Sequence, residues 1–245
     1  MDSSKFRSLI APLVPEQAQQ LRRRMLSRRF YTRTLERCQG HDRSVAERRA
    51  VDADGQPLPW YTYPAIEYLD QLDFSGARVF EWGSGWSTLW WAERALQVHS
   101  VEHDPKWFAA LDEQRRRGNI ALELQPKRAG YAGAILADEG RWNVIVVDGQ
   151  ARMPCAGNAV QRLAPGGLLI VDNSDWFPEV CAFLREQGLL QVDLHGFGPI
   201  AWATWCTSLF FTRDFARVPR HGRQPVFSRG GGPRQAELVD ELLDD

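Results

Sequence analysis

The chain has 245 residues, 44% hydrophobic and 25% charged, which is enough for one substantial core in a globular protein. Its formal net charge of −1 gives no global electrostatic reason to expect nucleic-acid binding. No apolar run approaches the roughly 20 residues of a membrane span, and the N-terminus lacks the apolar segment of a signal peptide. The four cysteines form no CxxC pair, which favours reduced thiols in a cytoplasmic protein.

Residues 1–58 are predicted to form a basic helical N-terminal extension that ends in a linker. Arginines crowd residues 21–30, and Leu21, Met25 and Phe30 recur near helical spacing, which indicates an amphipathic helix. Such a helix packs on the edge of the main domain with a solvated basic face, or it contacts an acidic membrane surface or another anionic partner. Residues 51–59 contain Asp, Gly and two prolines, a composition typical of a linker.

Strands and helices alternate from residue 60 onward. The predicted strands are 78–82, 98–102, 120–124, 142–148, 167–172, 189–195 and 201–211. The predicted helices are 64–72, 88–95, 105–117, 131–138, 156–163 and 176–187. This alternation predicts an α/β fold with a doubly wound, mostly parallel sheet. The last two strands should form an antiparallel hairpin, because the segment between them is too short for a crossover helix.

The main domain is therefore predicted to span residues 59–215. Residues 216–245 are rich in Arg, Gly and Pro, and they are predicted to form a C-terminal tail with a short acidic helix at 235–243.

A buried strand, a glycine turn and a helix start follow one another in the sequence VFEWGSGWST. Gly83 and Gly85 allow the backbone to turn tightly and to approach a ligand closely. The next helix begins near Thr88 and offers free N–H groups. Ligands bind an open parallel sheet beyond the carboxyl ends of its strands, and Glu102 ends the second strand. A carboxylate there can accept hydrogen bonds from both hydroxyls of a ribose.

Glu81 and Thr88 indicate which nucleoside cofactor fits this turn. A dinucleotide fingerprint has a third glycine at the position of Thr88, and an apolar residue is usual at the position of Glu81. A carboxylate suits a cofactor with a positively charged amino-acid end better than it suits a pyrophosphate. With the acid that ends the second strand and the final hairpin, the pattern resembles the class I S-adenosylmethionine-dependent methyltransferases over residues 60–211.

The resemblance implies a seven-stranded sheet with an antiparallel last strand, and S-adenosylmethionine as the cofactor. It implies that Glu81, Gly83 and Gly85 contact the methionine end and that Glu102 contacts the ribose. Residues 60–63 would form a lip over the cofactor, with aromatic rings facing the sulfonium, or these rings would only pack helix against sheet. The full predicted cofactor-binding set is Glu81, Gly83, Ser84, Gly85, Ser87, Glu102, His103 and Tyr63.

A second acidic cluster follows from the ends of the fourth and fifth strands. Asp148 ends one strand, and Asp172 and Asn173 end the next, so their oxygens form a hard site that suits Mg²⁺. The pattern resembles the metal-dependent catechol-type and caffeoyl-coenzyme-A-type O-methyltransferases, in which the metal lowers the pKa of a substrate hydroxyl. Gly149 stands where those families have a second acid. Two alternatives stay open: Asp148 acts as a base without a metal, and Asp172 and Asn173 only shape the turn.

The predicted function is S-adenosylmethionine-dependent O-methylation of a small-molecule or carbohydrate-like acceptor, without a nucleic-acid partner. Asp148 is the predicted catalytic base, and His103 and His195 are alternatives. The pair Pro154–Cys155 resembles the nucleophile of cytosine C5-methyltransferases, but it lies beyond the strand end. Two other functions remain: an NAD-dependent oxidoreductase, and a non-catalytic cofactor-binding module of the same fold.

Overall fold

The computed structural model describes residues 16–111 and 117–232, and its centre is a seven-stranded sheet. The strands are β1 Arg78–Trp82, β2 Gln97–Glu102, β3 Ile120–Leu124, β4 Trp142–Val147, β5 Leu163–Asp172, β6 Leu190–Gly196 and β7 Trp205–Phe211. Their order is β3-β2-β1-β4-β5-β7-β6. Strand β7 runs antiparallel to both of its neighbours, and the other pairs are parallel. The predicted fold class is confirmed.

Helices cover both faces of this sheet. They are α1 Glu16–Thr32, α2 His41–Glu47, α3 Tyr63–Asp70, α4 Trp86–Ala92, α5 Pro105–Ala110, α6 Arg128–Gly133, α7 Arg152–Arg162 and α8 Pro178–Glu186. Alternate residues of each buried strand point to opposite faces. In β4, Val144 and Val146 join the core that packs against α3 and α4, whereas Ile145 and Val147 join the core against α6, α7 and α8. The continuous apolar run of β4 follows from burial on both faces.

The final hairpin is confirmed, although its loop is longer than predicted. Strand β6 pairs antiparallel with β7, from Leu190 opposite Phe211 to Gly196 opposite Trp205. Residues 197–204 form the connection and pack on the segment before α3: the backbone N–H of Tyr63 donates to the carbonyl of Phe197 at 2.7 Å. This loop therefore lies beside the predicted lip at residues 60–63.

The N-terminal helix exists, but it does not pack as an amphipathic helix does. No residue of α1 is buried, and Leu21 and Met25 are 60% and 65% exposed. Packing of this helix on the domain edge is therefore wrong, and its contact with an acidic membrane or an anionic partner stays a prediction. Within the described residues, no helix is both long and apolar enough to cross a membrane.

Two further predictions concern the ends of the main domain. Residues 51–59 form a folded turn rather than an open linker: Val51 pairs with Pro57, and Val51 and Leu58 are buried. The predicted helix at 235–243 lies outside the described residues.

Candidate cofactor and acceptor site

Glu81 is a fully buried carboxylate at the carboxyl edge of β1. Its Oε2 accepts hydrogen bonds from the hydroxyls of Thr88 at 2.6 Å and Ser100 at 2.9 Å. Its Oε1 is also buried and has no hydrogen-bond partner among the described residues. Burial raises the pKa of Glu81 to about 7, although the nearby hydroxyls of Ser87, Thr88 and Ser100 act in the opposite direction. A buried carboxylate with one open oxygen is stabilised by a cationic group placed against it.

The two glycines of the turn after β1 have different reasons for lacking a side chain. Gly83 has a φ of +97°, and a Cβ there would lie 2.9 Å from the carbonyl oxygen of Asp148. A side chain at this position is therefore disfavoured by both conformation and contact. At Gly85, the nearest atom that a Cβ would meet is in the Trp107 ring, at 3.9 Å. Gly85 thus leaves room on its open side for a ligand to approach the backbone.

Glu102, at the end of β2, is buried and held by backbone donors. Its Oε2 accepts from the N–H of Ser84 at 3.1 Å, and its Oε1 accepts from the N–H groups of His103 at 2.7 Å and Asp104 at 2.8 Å. A carboxylate offers about four lone-pair positions, so Glu102 retains capacity for a further donor. The Ser84 hydroxyl lies 2.7 Å from the Ser100 hydroxyl and links this carboxylate to the Glu81 network.

The aromatic ring near these acids belongs to Tyr61, not to Tyr63. Tyr63 begins α3, and its ring lies edge-on to His41, at a centroid distance of 6.4 Å, which directs it towards α2. Burial raises the pKa of Tyr61, and the charges of Glu81, Asp148 and Asp172 raise it further. Trp91 Nε1 donates to the Tyr61 hydroxyl at 3.3 Å. Tyr63 as a cofactor contact stays a prediction, and Tyr61 is the neighbouring tyrosine whose pKa these carboxyls raise.

Sequence reasoning missed Arg152, the buried cation of the second acidic cluster. Its guanidinium donates to the backbone carbonyls of Gly149 at 2.7 Å, Val147 at 2.6 Å and Asp172 at 2.5 Å. Its Nη2 lies 3.2 Å from Asp148 Oδ1 and 3.5 Å from Asn173 Oδ1. The available signal was its position four residues after Asp148, a spacing at which an aspartate and an arginine meet on a helical turn.

The structure gives no support to the predicted metal site at Asp148, Asp172 and Asn173. The Arg152 guanidinium already contacts all three residues, so the positive charge that Mg²⁺ would supply comes from the protein. The Asp172 carboxylate accepts hydrogen bonds from Trp205 Nε1 at 3.0 Å and the Thr207 hydroxyl at 2.5 Å. In the described ranges, no group of three His, Cys, Asp or Glu side chains is arranged to hold a metal ion. The resemblance to metal-dependent O-methyltransferases is likewise unsupported.

Asp148 and Asp172 differ in pKa and therefore in protonation state. Burial raises the pKa of Asp148 to about 6, and the charge and hydrogen bond of Arg152 oppose that rise. Burial, followed by the charge of Asp148, holds the pKa of Asp172 well above its ordinary value. The Asp148 side chain is 21% exposed, so its carboxylate is accessible. At neutral pH, Asp148 is therefore ionised and suited to accept a proton.

The other candidate nucleophiles and bases are less suited to this role. The Nδ1 of His103 lies 3.0 Å from Glu102 Oε1, on the cofactor side of the edge. His195 is exposed on β6. Burial raises the pKa of Cys155 to about 12, so its thiol stays protonated at neutral pH. Asp148 remains the predicted base.

Comparisons with known proteins agree with this architecture. No family model matches the chain. Over 109 residues it is 28% identical to the ribosomal protein L11 methyltransferase of Methylococcus capsulatus, a match that covers 43% of this chain and 36% of that protein. The chain thus matches about a third of the length of this relative. The relative is a methyltransferase, and the sheet has the seven strands and the antiparallel β7 that the resemblance implied.

The chain has the class I methyltransferase fold.

Among solved structures, precorrin 8W decarboxylase from Methanobacterium thermoautotrophicum is 16% identical, with a TM-score of 0.46 over 68% of this chain and 97% of that one. The N-methyltransferase NodS from Bradyrhizobium japonicum is 17% identical, with a TM-score of 0.42 over 72% and 94%.

In this class I methyltransferase fold, most of the predicted cofactor residues lie together. The glycine turn connects Glu81 to Ser84, and Ser84 bonds to Glu102. The open Oε1 of Glu81 fits the ammonium of S-adenosylmethionine, and the space at Gly85 fits a ligand against the backbone. The residues present therefore fit this cofactor.

Proposed function

We propose that the protein is an S-adenosylmethionine-dependent methyltransferase that methylates a hydroxyl of a small-molecule or carbohydrate-like acceptor. The observation that carries the proposal is the buried Oε1 of Glu81, which lacks a protein partner in the described part of the chain and sits next to the Gly83–Gly85 turn. A single unpaired carboxylate oxygen at this place suits an amino-acid ammonium.

The cofactor would be held along the edge formed by β1 and β2. Glu81 would bind the ammonium, and the remaining lone pair of Glu102 would accept from the ribose hydroxyls. Tyr61, among the three carboxyls, would present its ring near the sulfonium. When bound, S-adenosylmethionine supplies an electrophilic methyl group, and the protein supplies alignment and exclusion of water.

Asp148 would hold the proton that the acceptor hydroxyl releases. Its pKa of about 6 leaves it ionised at neutral pH, and Arg152 holds the carboxylate in place through Nη2 at 3.2 Å. Positioned general bases typically contribute about 10²- to 10⁴-fold to a rate. Arg152 touches only backbone carbonyls and strand-end side chains in these contacts, so it acts as a positioning residue.

The oxidoreductase alternative is disfavoured by the Glu81 network. Thr88 stands where a dinucleotide site has its third glycine, and its hydroxyl bonds to a buried carboxylate. That carboxylate would repel a pyrophosphate. A non-catalytic module of the same fold would bind the cofactor and show no turnover with any acceptor.

A screen with methyl-labelled S-adenosylmethionine against phenols, glycosides and small amines tests this function. We expect label transfer to a hydroxyl compound, and loss of transfer in Asp148→Asn. Asp54→Asn, which changes an exposed aspartate, is the matched control and should transfer label at the wild-type rate. Label that appears only on amines would reject the O-methylation proposal.

A further inference from the structure

The segments that carry or adjoin the second acidic cluster also carry exposed apolar side chains. Four large ones lie at the carboxyl edge of the sheet, in the first turn of α7, in the turn after β5, in the loop after β6 and before α3. Their exposed fractions are 37% for Met153, 68% for Trp176, 42% for Phe197 and 51% for Trp60. We call these four residues the apolar rim. Exposed apolar groups that cluster around a polar site mark ligand-binding surfaces more often than isolated ones do.

Each rim residue is tied directly to a residue of the site. Trp60 precedes Tyr61, and Met153 follows Arg152. The backbone N–H of Trp176 donates to the carbonyl of Asn173 at 2.9 Å, within one turn of Asp172.

Phe197 lies next to Gly198, which packs tightly on the Tyr61 backbone: a Cβ at Gly198 would come within 2.3 Å of the Tyr61 carbonyl oxygen. The rim therefore borders the cluster from loops that follow three different strands and from the segment before α3.

Asp148 is the ionised and accessible carboxylate beside the rim. Tyr61 lies within the field of Glu81, Asp148 and Asp172. The cation that opposes this charge is Arg152, whose Nε and Nη1 donate to backbone carbonyls and whose Nη2 faces Asp148 and Asn173. An anionic ligand would therefore meet an ionised Asp148 and an arginine whose donors are already engaged.

From this juxtaposition we infer that the apolar rim and Asp148 form an acceptor subsite for an uncharged compound with a flat apolar ring and a hydroxyl group, and that the subsite rejects anionic compounds. The rim would bind the face of the ring, and Asp148 would accept a hydrogen bond from the hydroxyl. Stacking on aromatic side chains supplies the affinity, and the ionised Asp148 supplies the selection against negative charge. That the bound compound is the methyl acceptor rests on the proposed function, but binding at this subsite can be tested without turnover.

The test is isothermal titration of the full chain with two matched probes, 2-naphthol and 2-naphthoate. We expect 2-naphthol to bind at least tenfold more tightly than 2-naphthoate. Trp176→Ala and Phe197→Ala should each weaken 2-naphthol binding about two- to tenfold, the range that an aromatic pair contributes. Asp148→Asn should strengthen 2-naphthoate binding and narrow the difference between the probes.

Phe227→Ala is the matched control for the aromatic changes. Phe227 is 58% exposed and follows Val226, whose N–H donates to Gln71 just beyond the C-terminal end of α3. This variant should bind 2-naphthol as the wild type does. Trp176 and Phe197 are exposed enough for their variants to fold, and an unchanged thermal midpoint confirms it.

Three results would overturn the inference: equal binding of the two probes, unchanged 2-naphthol affinity in both rim variants, or tighter binding of an uncharged methyl glucoside than of 2-naphthol. The same samples are titrated with S-adenosylmethionine. Cofactor binding without 2-naphthol binding rejects the subsite alone, whereas 2-naphthol binding without cofactor binding rejects the proposed function alone.

Discussion

The carboxyl edge of the sheet has two halves, one at the ends of β1 and β2 and one at the ends of β4 and β5. The two halves bury carboxylates in different ways. At the ends of β1 and β2, Glu81 keeps one oxygen without a protein partner in the described residues, and no basic side chain is among the groups that shift its pKa. At the ends of β4 and β5, the Asp148 carboxylate contacts the guanidinium of Arg152, whereas the Asp172 carboxylate accepts hydrogen bonds from Trp205 and Thr207. Among the described residues, no ion pair is formed by Glu81, whereas Asp148 pairs with Arg152 at 3.2 Å.

This difference decides what each half is suited to bind. A buried carboxylate costs free energy unless a cation or hydrogen-bond donor compensates it, so the Glu81 side favours a ligand that brings a positive charge. The Asp148 side is already compensated, so it needs no metal ion and can hold a proton instead. The same residue type at four neighbouring strand ends thus serves two functions, and the surroundings select between them.

The largest expected effect separates the two halves by activity. Asp148→Asn should lower kcat about 10²- to 10⁴-fold with an acceptor from the label-transfer screen, because the acceptor proton loses its base. The Kd for S-adenosylmethionine should change less than twofold, since Asp148 is assigned to the acceptor half. Steady-state kinetics and titration of the same sample measure both. A variant that loses cofactor affinity in proportion to kcat would show that the two halves are not separate.

Metal dependence is tested on the wild type in the same assay. Because Arg152 contacts Asp148, Asp172 and Asn173, turnover should be equal in excess Mg²⁺ and in EDTA. A loss of activity in EDTA that Mg²⁺ restores would support a metal site at Asp148, Asp172 and Asn173.

The next effect is on the cofactor half. Glu81→Gln should weaken S-adenosylmethionine binding about 10- to 100-fold, the range for removing a charged hydrogen bond at a buried site. Ammonium binding needs the ionised carboxylate, and the pKa of Glu81 is about 7, so wild-type affinity should fall as pH decreases below 7. Titrations between pH 5.5 and 8 should show this slope in the wild type and a flatter profile in the variant. Equal slopes would remove Glu81 from the ammonium site.

The glycine turn provides a matched pair of smaller changes. Gly83→Ala places a Cβ 2.9 Å from a backbone oxygen at a φ of +97°, and it should destabilise the fold by about 1–3 kcal/mol. Gly85→Ala meets only the Trp107 ring at 3.9 Å, so its thermal midpoint should stay near that of the wild type while cofactor affinity falls. Thermal melts and titrations compare the two. Full cofactor affinity in Gly85→Ala would mean that no ligand occupies that space.

The smallest effect is on stability and concerns Asp172. Its pKa in the folded state is raised, so the folded protein holds this proton more tightly than the unfolded chain does, and the resulting stability is lost as pH rises. At pH 8, Asp172→Asn should melt about 2–4 °C above the wild type, the shift that roughly 1 kcal/mol produces in a chain of this size. The difference should shrink as pH falls towards the ordinary aspartate pKa near 4. A variant that melts lower at pH 8 would contradict the assignment of a costly charge.

The strands were predictable because burial on both faces leaves a clear apolar pattern. Strand β1 has the predicted bounds, and β4 ends within one residue of them. The start of α7 was harder to predict from the sequence. The helix begins at Arg152 rather than at residue 156, because its first turn can contain Pro154.

The placement of Glu81, the two glycines and Glu102 at one edge of the sheet was predictable, because it follows from local strand-turn-helix geometry. Their roles in cofactor binding stay predictions. The acceptor half was not predictable. Strand-end acids indicate a cation, but only the three-dimensional contacts show that Arg152 lies against Asp148 and Asn173. The direction of the Tyr63 ring was also not predictable from the sequence, because it depends on packing against α2.

The most direct test of the central claim is isothermal titration of the wild-type chain at pH 8 with S-adenosylmethionine and, separately, with NAD. If the unpaired oxygen of Glu81 marks an ammonium site, S-adenosylmethionine binds in the micromolar range and NAD shows no binding. Binding of NAD without binding of S-adenosylmethionine would contradict the account.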